Sequence, residues 1–199
     1  MRCVPVADDV VVLGADLDPL RGWVRAAKRR GADPALAWWL GRRLGEQLRR
    51  TGAVGTGRPV VVPMPTAGPR AAARGLDHAA VIAGGVAAAV DGRMVRGLLR
   101  HAGGGRQAGR SRAARLAAAE LTILRRRGRR LPAGATAIVV DDLRTTGATL
   151  RVAARRLREA GAGRVVAAVI ATRDRSRTLP GDDPALRDRE ATDPRSANP

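Results

Sequence analysis

Phenylalanine and tyrosine are absent from this chain, and its only aromatic residues are three tryptophans. The core must therefore be built from Val, Leu and Ala, with Trp23, Trp38 and Trp39 expected inside it as the largest apolar groups on hand. Cysteine is nearly absent as well. Cys3 stands alone, which excludes a disulfide within the chain. With only His78 and His101 besides, a closed Cys-rich zinc site is excluded too. Long apolar runs are missing: the longest, 79–90, is too short to cross a bilayer and is interrupted by Gly84 and Gly85. Asp8 and Asp9 break the N-terminus before an apolar leader can develop, so no secretory signal is expected. These absences predict a soluble, cytoplasmic protein. Acids are scarce, 18 against 37 cationic side chains, for a formal net charge of +19. Lysine is scarcer still, since every cation but Lys28 is arginine. Such a charge suits phosphates, on a small substrate or on a polynucleotide, although an Arg-, Ala- and Gly-rich composition inflates it without any ligand.

What is present reads as α/β. At 199 residues the chain can bury one sizeable core. DVVVLGA (9–15) is β-rich, and 20–30 turns helical. Asp33-Pro34 is a cap followed by a first-turn proline and opens a helix through Trp38, Trp39, Leu40 and Leu44. The Gly-rich stretch 51–59 is a loop. VVVP (60–63) is a short continuous apolar run, as in a strand covered on both faces. An Ala-rich helix ends near Val90, and MVRGLL (94–99) is predicted as a strand. Residues 100–130 carry ten arginines against the single acid Glu120, and predict a mobile loop, a short helix at 110–119 and a basic turn. ATAIVVDD (135–142) is the clearest strand; 146–160 is an amphipathic helix; RVVAAVIAT (164–172) is another buried strand. Strand, helix and strand in this order make a βαβ unit and a parallel sheet. From 173 onward the sequence is polar and Pro-bearing, the pattern of a disordered tail. The expected organisation is an N-terminal hood or helical segment over 1–58, a core over 59–172 and a tail over 173–199.

Chemistry concentrates at VVDDLRTTGATL (139–150). Two acids end an apolar strand, and a helix starts about four residues later. In a parallel sheet, ligands gather at the carboxyl ends of strands. Leu143, Arg144, Thr145, Thr146, Gly147, Ala148 and Thr149 form a loop there, whose amides and helix N-terminus suit an anion. Gly147 lets a phosphate approach the backbone, and the threonines offer hydroxyls. Asp141 and Asp142 suit the opposite partner, vicinal sugar hydroxyls or a bridging Mg²⁺. One cap needs one such residue; two acids and three threonines around a glycine describe a site for a ribose 5-phosphate.

This segment resembles the phosphoribosyl pyrophosphate (PRPP) loop of type I phosphoribosyltransferases. Further pieces, in order, narrow the resemblance to the ComF, or amidophosphoribosyltransferase-like, branch associated with competence and DNA uptake. They are Lys28-Arg29-Arg30-Gly31, VVVPMP, RGLDHA (74–79), LLR (98–100), Gln107 and Arg115. The resemblance implies a mostly parallel sheet flanked by helices under a small hood, a possible homodimer, and transfer of a phosphoribosyl group from PRPP to a nitrogen nucleophile with Mg²⁺. It implies that Asp141 and Asp142 bind the ribose hydroxyls, directly or through the metal, and that 145–149 hold the 5-phosphate. Lys28, Arg70, Arg74 and Gly75 would face pyrophosphate, and the Gly-rich stretch 102–109 would cover the site.

Three departures qualify the match. No four-cysteine module can precede the domain in this sequence. Asp77-His78 stands where the branch has an amide pair, and Ala118 where it has Asn. A competing reading keeps the fold as a nucleic-acid-binding module for single-stranded DNA. Arg125, Arg126, Arg127, Arg129 and Arg130 would then track phosphates, yet no aromatics are interleaved with them. Trp23 could stack on a base, but the core is the expected place of all three indoles.

Overall fold

The computed structural model describes residues 7–15, 22–23, 26, 34–65, 77–101, 123–125, 128, 130–144 and 147–172. Five strands form one sheet: β1 (Asp9–Ala15), β2 (Val60–Pro63), β3 (Arg93–Met94), β6 (Thr136–Arg144) and β7 (Arg164–Thr172). Their order is β1-β7-β6-β2-β3, and every pairing is parallel. A separate antiparallel ribbon joins β4 (Leu99–His101) to β5 (Ile123–Arg125). The helices are α1 (Pro34–Arg50), α2 (His78–Val90) and α3 (Ala148–Glu159). Each follows one strand of the sheet and leads to another that is parallel to it, adjacent for α2 and α3 and separated by two strands for α1, so all three N-termini lie at the carboxyl edge of the sheet.

Central strands of a parallel sheet are covered on both faces, which is why 137–140 of β6 and 165–171 of β7 read as unbroken Val, Ile and Ala. Alternation divides their side chains between two cores. Ala137, Val139, Val165, Ala167 and Val169 pack with α3; Ile138, Val140, Val166, Ala168 and Ile170 pack with α1 and α2. Residues 9–15 supply the edge strand β1, whose entry is pinned to the β7 side. Asp8 Oδ2 accepts the Val165 N–H at 2.6 Å and Oδ1 accepts an Arg158 N–H at 2.8 Å, while Asp9 pairs with Arg164. Partial burial pushes the Asp8 carboxyl upward, but the Val165 N–H and the Arg158 guanidinium outweigh it and hold the group below its ordinary value.

The α1–α2 contact is built on glycine. A Cβ on Gly41 would lie 2.1 Å from the Ile82 carbonyl oxygen, and one on Gly85 would lie 2.2 Å from that of Trp38. The two backbones touch, and the buried stripe of α1 is Ala37, Leu40, Gly41, Leu44, Gly45 and Leu48. This corrects the expectation for the tryptophans. Trp23, Trp38 and Trp39 are 44%, 42% and 45% exposed; for the two on α1 the reason is that a crossing this close has no room for an indole.

The predicted strand at 94–99 is also corrected. β3 stops at Met94, Gly97 takes φ +69° in a turn, and β4 starts afresh at Leu99. A left-handed residue cannot continue a strand. Gly22, Trp23 and Ala26 are helical, as the 20–30 pattern predicts. The acids at 141–142 lie within β6 rather than at its end, and α3 begins at Ala148 rather than at 146. The predicted helix at 110–119, the cover at 102–109 and the tail from 173 lie outside the described residues. Among the described residues, no helix is long and apolar enough to cross a membrane.

Candidate functional site

β6 outruns its neighbour. Its pairing with β2 ends where Pro63 meets Val140, and the last bond on that side runs from the Met64 N–H to the Val140 oxygen at 2.8 Å. Pairing with β7 goes on through Asp141, Leu143 and Arg144. The carboxyl edge therefore carries a four-residue overhang, and Asp141 and Asp142, both half-buried, sit on it. Alternation sends residue 141 to the α3 side of the sheet and residue 142 to the α2 side.

On the α3 side, Gly147 is the N-cap in the left-handed region at φ +69° and is buried. Gly147 brings no side chain to cap α3, and the first turn of the helix holds no acid. The Gly147 carbonyl accepts the Arg151 N–H at 2.9 Å, which starts the helix, and Ala148 and Thr149 occupy its first turn. A helix start of this kind offers its first amides and the positive end of its dipole to an anion.

On the α2 side the helix is capped from within. Asp77 Oδ1 accepts the Ala80 N–H at 3.3 Å, and Arg96 lies 3.7 Å from the same carboxylate. So Asp77 has a structural task at the start of α2. His78 follows it as the first residue of α2, 6% exposed, with neither ring nitrogen hydrogen-bonded among the described residues. A buried imidazole without partners is costly. At the edge where ligands collect, it is a candidate contact that the sequence registered only as a departure. Arg151, whose Nε is likewise buried without a partner, is a second residue that sequence reasoning missed. Its one signal was a cation four residues after Gly147.

The structure thus brings together Asp141, Asp142, Gly147, Ala148 and Thr149 at one edge, with the backbone of Leu143 and Arg144 inside β6. Lys28, Arg70, Arg74, Gly75, Thr145 and Thr146 lie outside the described residues. Of the arginines read as a DNA track, Arg125 ends β5 and Arg130 is exposed, while Arg126, Arg127 and Arg129 also lie outside them. The described residues hold no cluster of three His, Cys, Asp or Glu groups that could enclose a metal. A carboxylate pair at an anion-binding helix start suits a ligand with a phosphate at one end and hydroxyls at the other. Compared with known proteins, residues 40–193 match the family model described as phosphoribosyl transferase domain. No curated protein matches the chain.

Proposed function

The chain belongs to the phosphoribosyl transferase domain family, and from that premise we propose that it binds PRPP at the carboxyl edge of its sheet and transfers the phosphoribosyl group to a nitrogen nucleophile. The observation that carries this reading is the start of α3 at the left-handed Gly147, three residues beyond the strand that holds Asp141 and Asp142. The 5-phosphate takes the amides of 145–149 and the threonine hydroxyls. The ribose diol, lying across the β6 overhang, meets Asp141 from one side and Asp142 from the other. Lys28, Arg70, Arg74 and Gly75 take the pyrophosphate, on the strength of their sequence match.

Two carboxylates, with no third acid, His or Cys grouped with them among the described residues, fit Mg²⁺, which keeps most of its shell from water and substrate oxygens. Bound there, Mg²⁺ would be held by Asp141 and Asp142 through its water shell, since the two residues face opposite sides of β6, and would offset negative charge on the departing pyrophosphate. In the transfer, the bond from C1 to the pyrophosphate oxygen breaks and its electron pair leaves with pyrophosphate. The nitrogen lone pair forms the new bond to C1, and the proton lost from nitrogen passes to solvent. The protein's own part is to hold the sugar and phosphate in line for attack.

Within the family we assign the chain to the ComF-like branch and to DNA uptake, on the order of its sequence pieces from Lys28 to Arg115. Calorimetric titration with PRPP and Mg²⁺ tests binding. Wild type should give a saturable signal that Asp141→Asn with Asp142→Asn abolishes. Equal signals from both proteins would remove the sugar-binding role of the acids. A pyrophosphate-release assay across candidate nitrogen nucleophiles tests turnover, and transformation frequency in a strain lacking the protein tests the link to uptake.

A further inference from the structure

All three aromatic side chains of this protein are on its surface, and they are gathered on and beside α1. Trp23 meets Trp39 edge to face, with ring centroids 5.9 Å apart. The Arg42 guanidinium lies 5.4 Å over the Trp38 ring, and that of Arg43 lies 5.9 Å over Trp39. Scattered exposed apolar residues are ordinary. Here a chain with no other aromatic residue places every indole in solvent, two of them in contact and two beneath arginines.

The exposure is fixed by packing. Gly41, Gly45 and Gly85 hold α1 against α2 so closely that α1 cannot roll to bury Trp38 or Trp39. Helical spacing then continues each indole into a cationic track. Trp38 leads to Arg42 and Arg49, and Trp39 leads to Arg43 and Arg50, each at i, i+4 and i+11. The tracks run about 16 Å along the helix. Glu46 is the only acid in α1, and it bonds Arg43 at 2.9 Å. Arg42, Arg49 and Arg50 have no carboxylate partner among the described residues. Arg49 also lines a cavity of about 660 Å³ with Gly55, Thr56, Gly57, Arg58 and Asp91, which prolongs the track beyond the helix.

We propose that this face of α1 binds single-stranded nucleic acid, with bases stacked on Trp23, Trp38 and Trp39 and phosphates on Arg42, Arg49 and Arg50. Part-exposed indoles interleaved with guanidinium groups, three of which have no carboxylate partner among the described residues, match a polymer that alternates flat bases with anions. A duplex hides its base faces, so the match is to a single strand. A second copy of the chain is disfavoured, because it would set arginine tracks of a +19 protein against each other. The inference stands independently of the PRPP site and moves nucleic-acid binding from the arginines of 125–130 to α1, where the interleaved aromatics are.

Fluorescence anisotropy with a labelled oligodeoxythymidine of about 20 nucleotides, longer than one site of this class, tests the proposal. Trp38→Ala with Trp39→Ala should weaken binding about tenfold or more per indole. Trp38→Tyr with Trp39→Tyr, which keeps a stacking face, should retain most of the affinity. Arg42→Ala, Arg49→Ala and Arg50→Ala together should flatten the slope of log K against log salt by about 0.7 per arginine. Unchanged binding by the alanine pair overturns the proposal, as does equal affinity for a duplex of the same length. It is overturned too if wild type ignores the oligonucleotide and the alanine pair instead shifts the sedimentation of a dimer.

Discussion

The Asp141 carboxylate accepts the backbone N–H of Asp142 at 2.9 Å. The reason is the overhang. Residue 142 shares the parity of Val140, whose carbonyl accepts from Met64, so its amide faces the flank that β2 has already left. Asp141 supplies the acceptor that a longer β2 would have given.

Two substitutions separate these roles. Asp141→Asn keeps an oxygen that can accept the amide and loses the charge. It should fold like wild type and bind PRPP with Mg²⁺ about 10- to 100-fold more weakly, the scale of one charge-assisted hydrogen bond. Asp141→Ala should show the same loss together with a lower melting temperature. Calorimetry and thermal melts read the two effects separately.

Gly147→Ala tests the helix start. At φ +69° a Cβ costs roughly 1–2 kcal/mol, and it would also stand where the phosphate comes close. Denaturant unfolding should register the first effect and PRPP titration the second. A variant that binds PRPP like wild type would place the phosphate elsewhere.

Gly85→Ala tests the crossing that presents the tryptophans. The added methyl carbon would stand 2.2 Å from the Trp38 carbonyl oxygen, a backbone atom with no room to yield. Destabilisation of about 3 kcal/mol is expected in urea unfolding. Gly84→Ala, whose nearest neighbour would be Trp38 Cδ1 at 4.0 Å, should change little and serves as the control.

Asp8 sets a pH dependence. Its folded pKa lies below the ordinary 3.8, so the unfolded chain binds its proton first. Stability from this group is therefore present above the ordinary value and lost as pH falls through the lower, folded one. Exposure of the pair limits the effect to about 1 kcal/mol or less. Thermal melts of wild type and Asp8→Asn should differ by a constant amount near neutrality and converge in acid. A gap that widens below pH 3.8 would reverse the assignment.

His78→Leu removes a buried imidazole that has no hydrogen-bond partner. It should leave stability unchanged or raise it by roughly 1–3 kcal/mol. If the ring serves the ligand, pyrophosphate release should fall in the same variant. Lower stability with unchanged release would assign His78 to packing alone.

The parallel sheet was legible in the sequence, because strands buried on two faces must be continuously apolar and the helices between them amphipathic. β7 and the start of α1 at Pro34 have the bounds their residues predict. The acid pair before a glycine was legible too, since its chemistry is local to one strand-to-helix connection. The strand predicted over 94–99 failed at Gly97, where composition cannot distinguish a tolerated glycine from a turn.

Where the tryptophans went was a tertiary decision. Hydrophobicity assigns an indole to the core, but burial depends on how closely two helices approach. That distance is set by Gly41 meeting Ile82 and by Gly85 meeting Trp38, residues far apart in the chain. The overhang of β6 is of the same kind, because where a strand outruns its neighbour depends on the length of β2 and on register between the two. Sequence by itself determined the chemical content of the edge and the alternation of the elements. Only the packed structure decided which groups stand in solvent, because exposure is a property of neighbours.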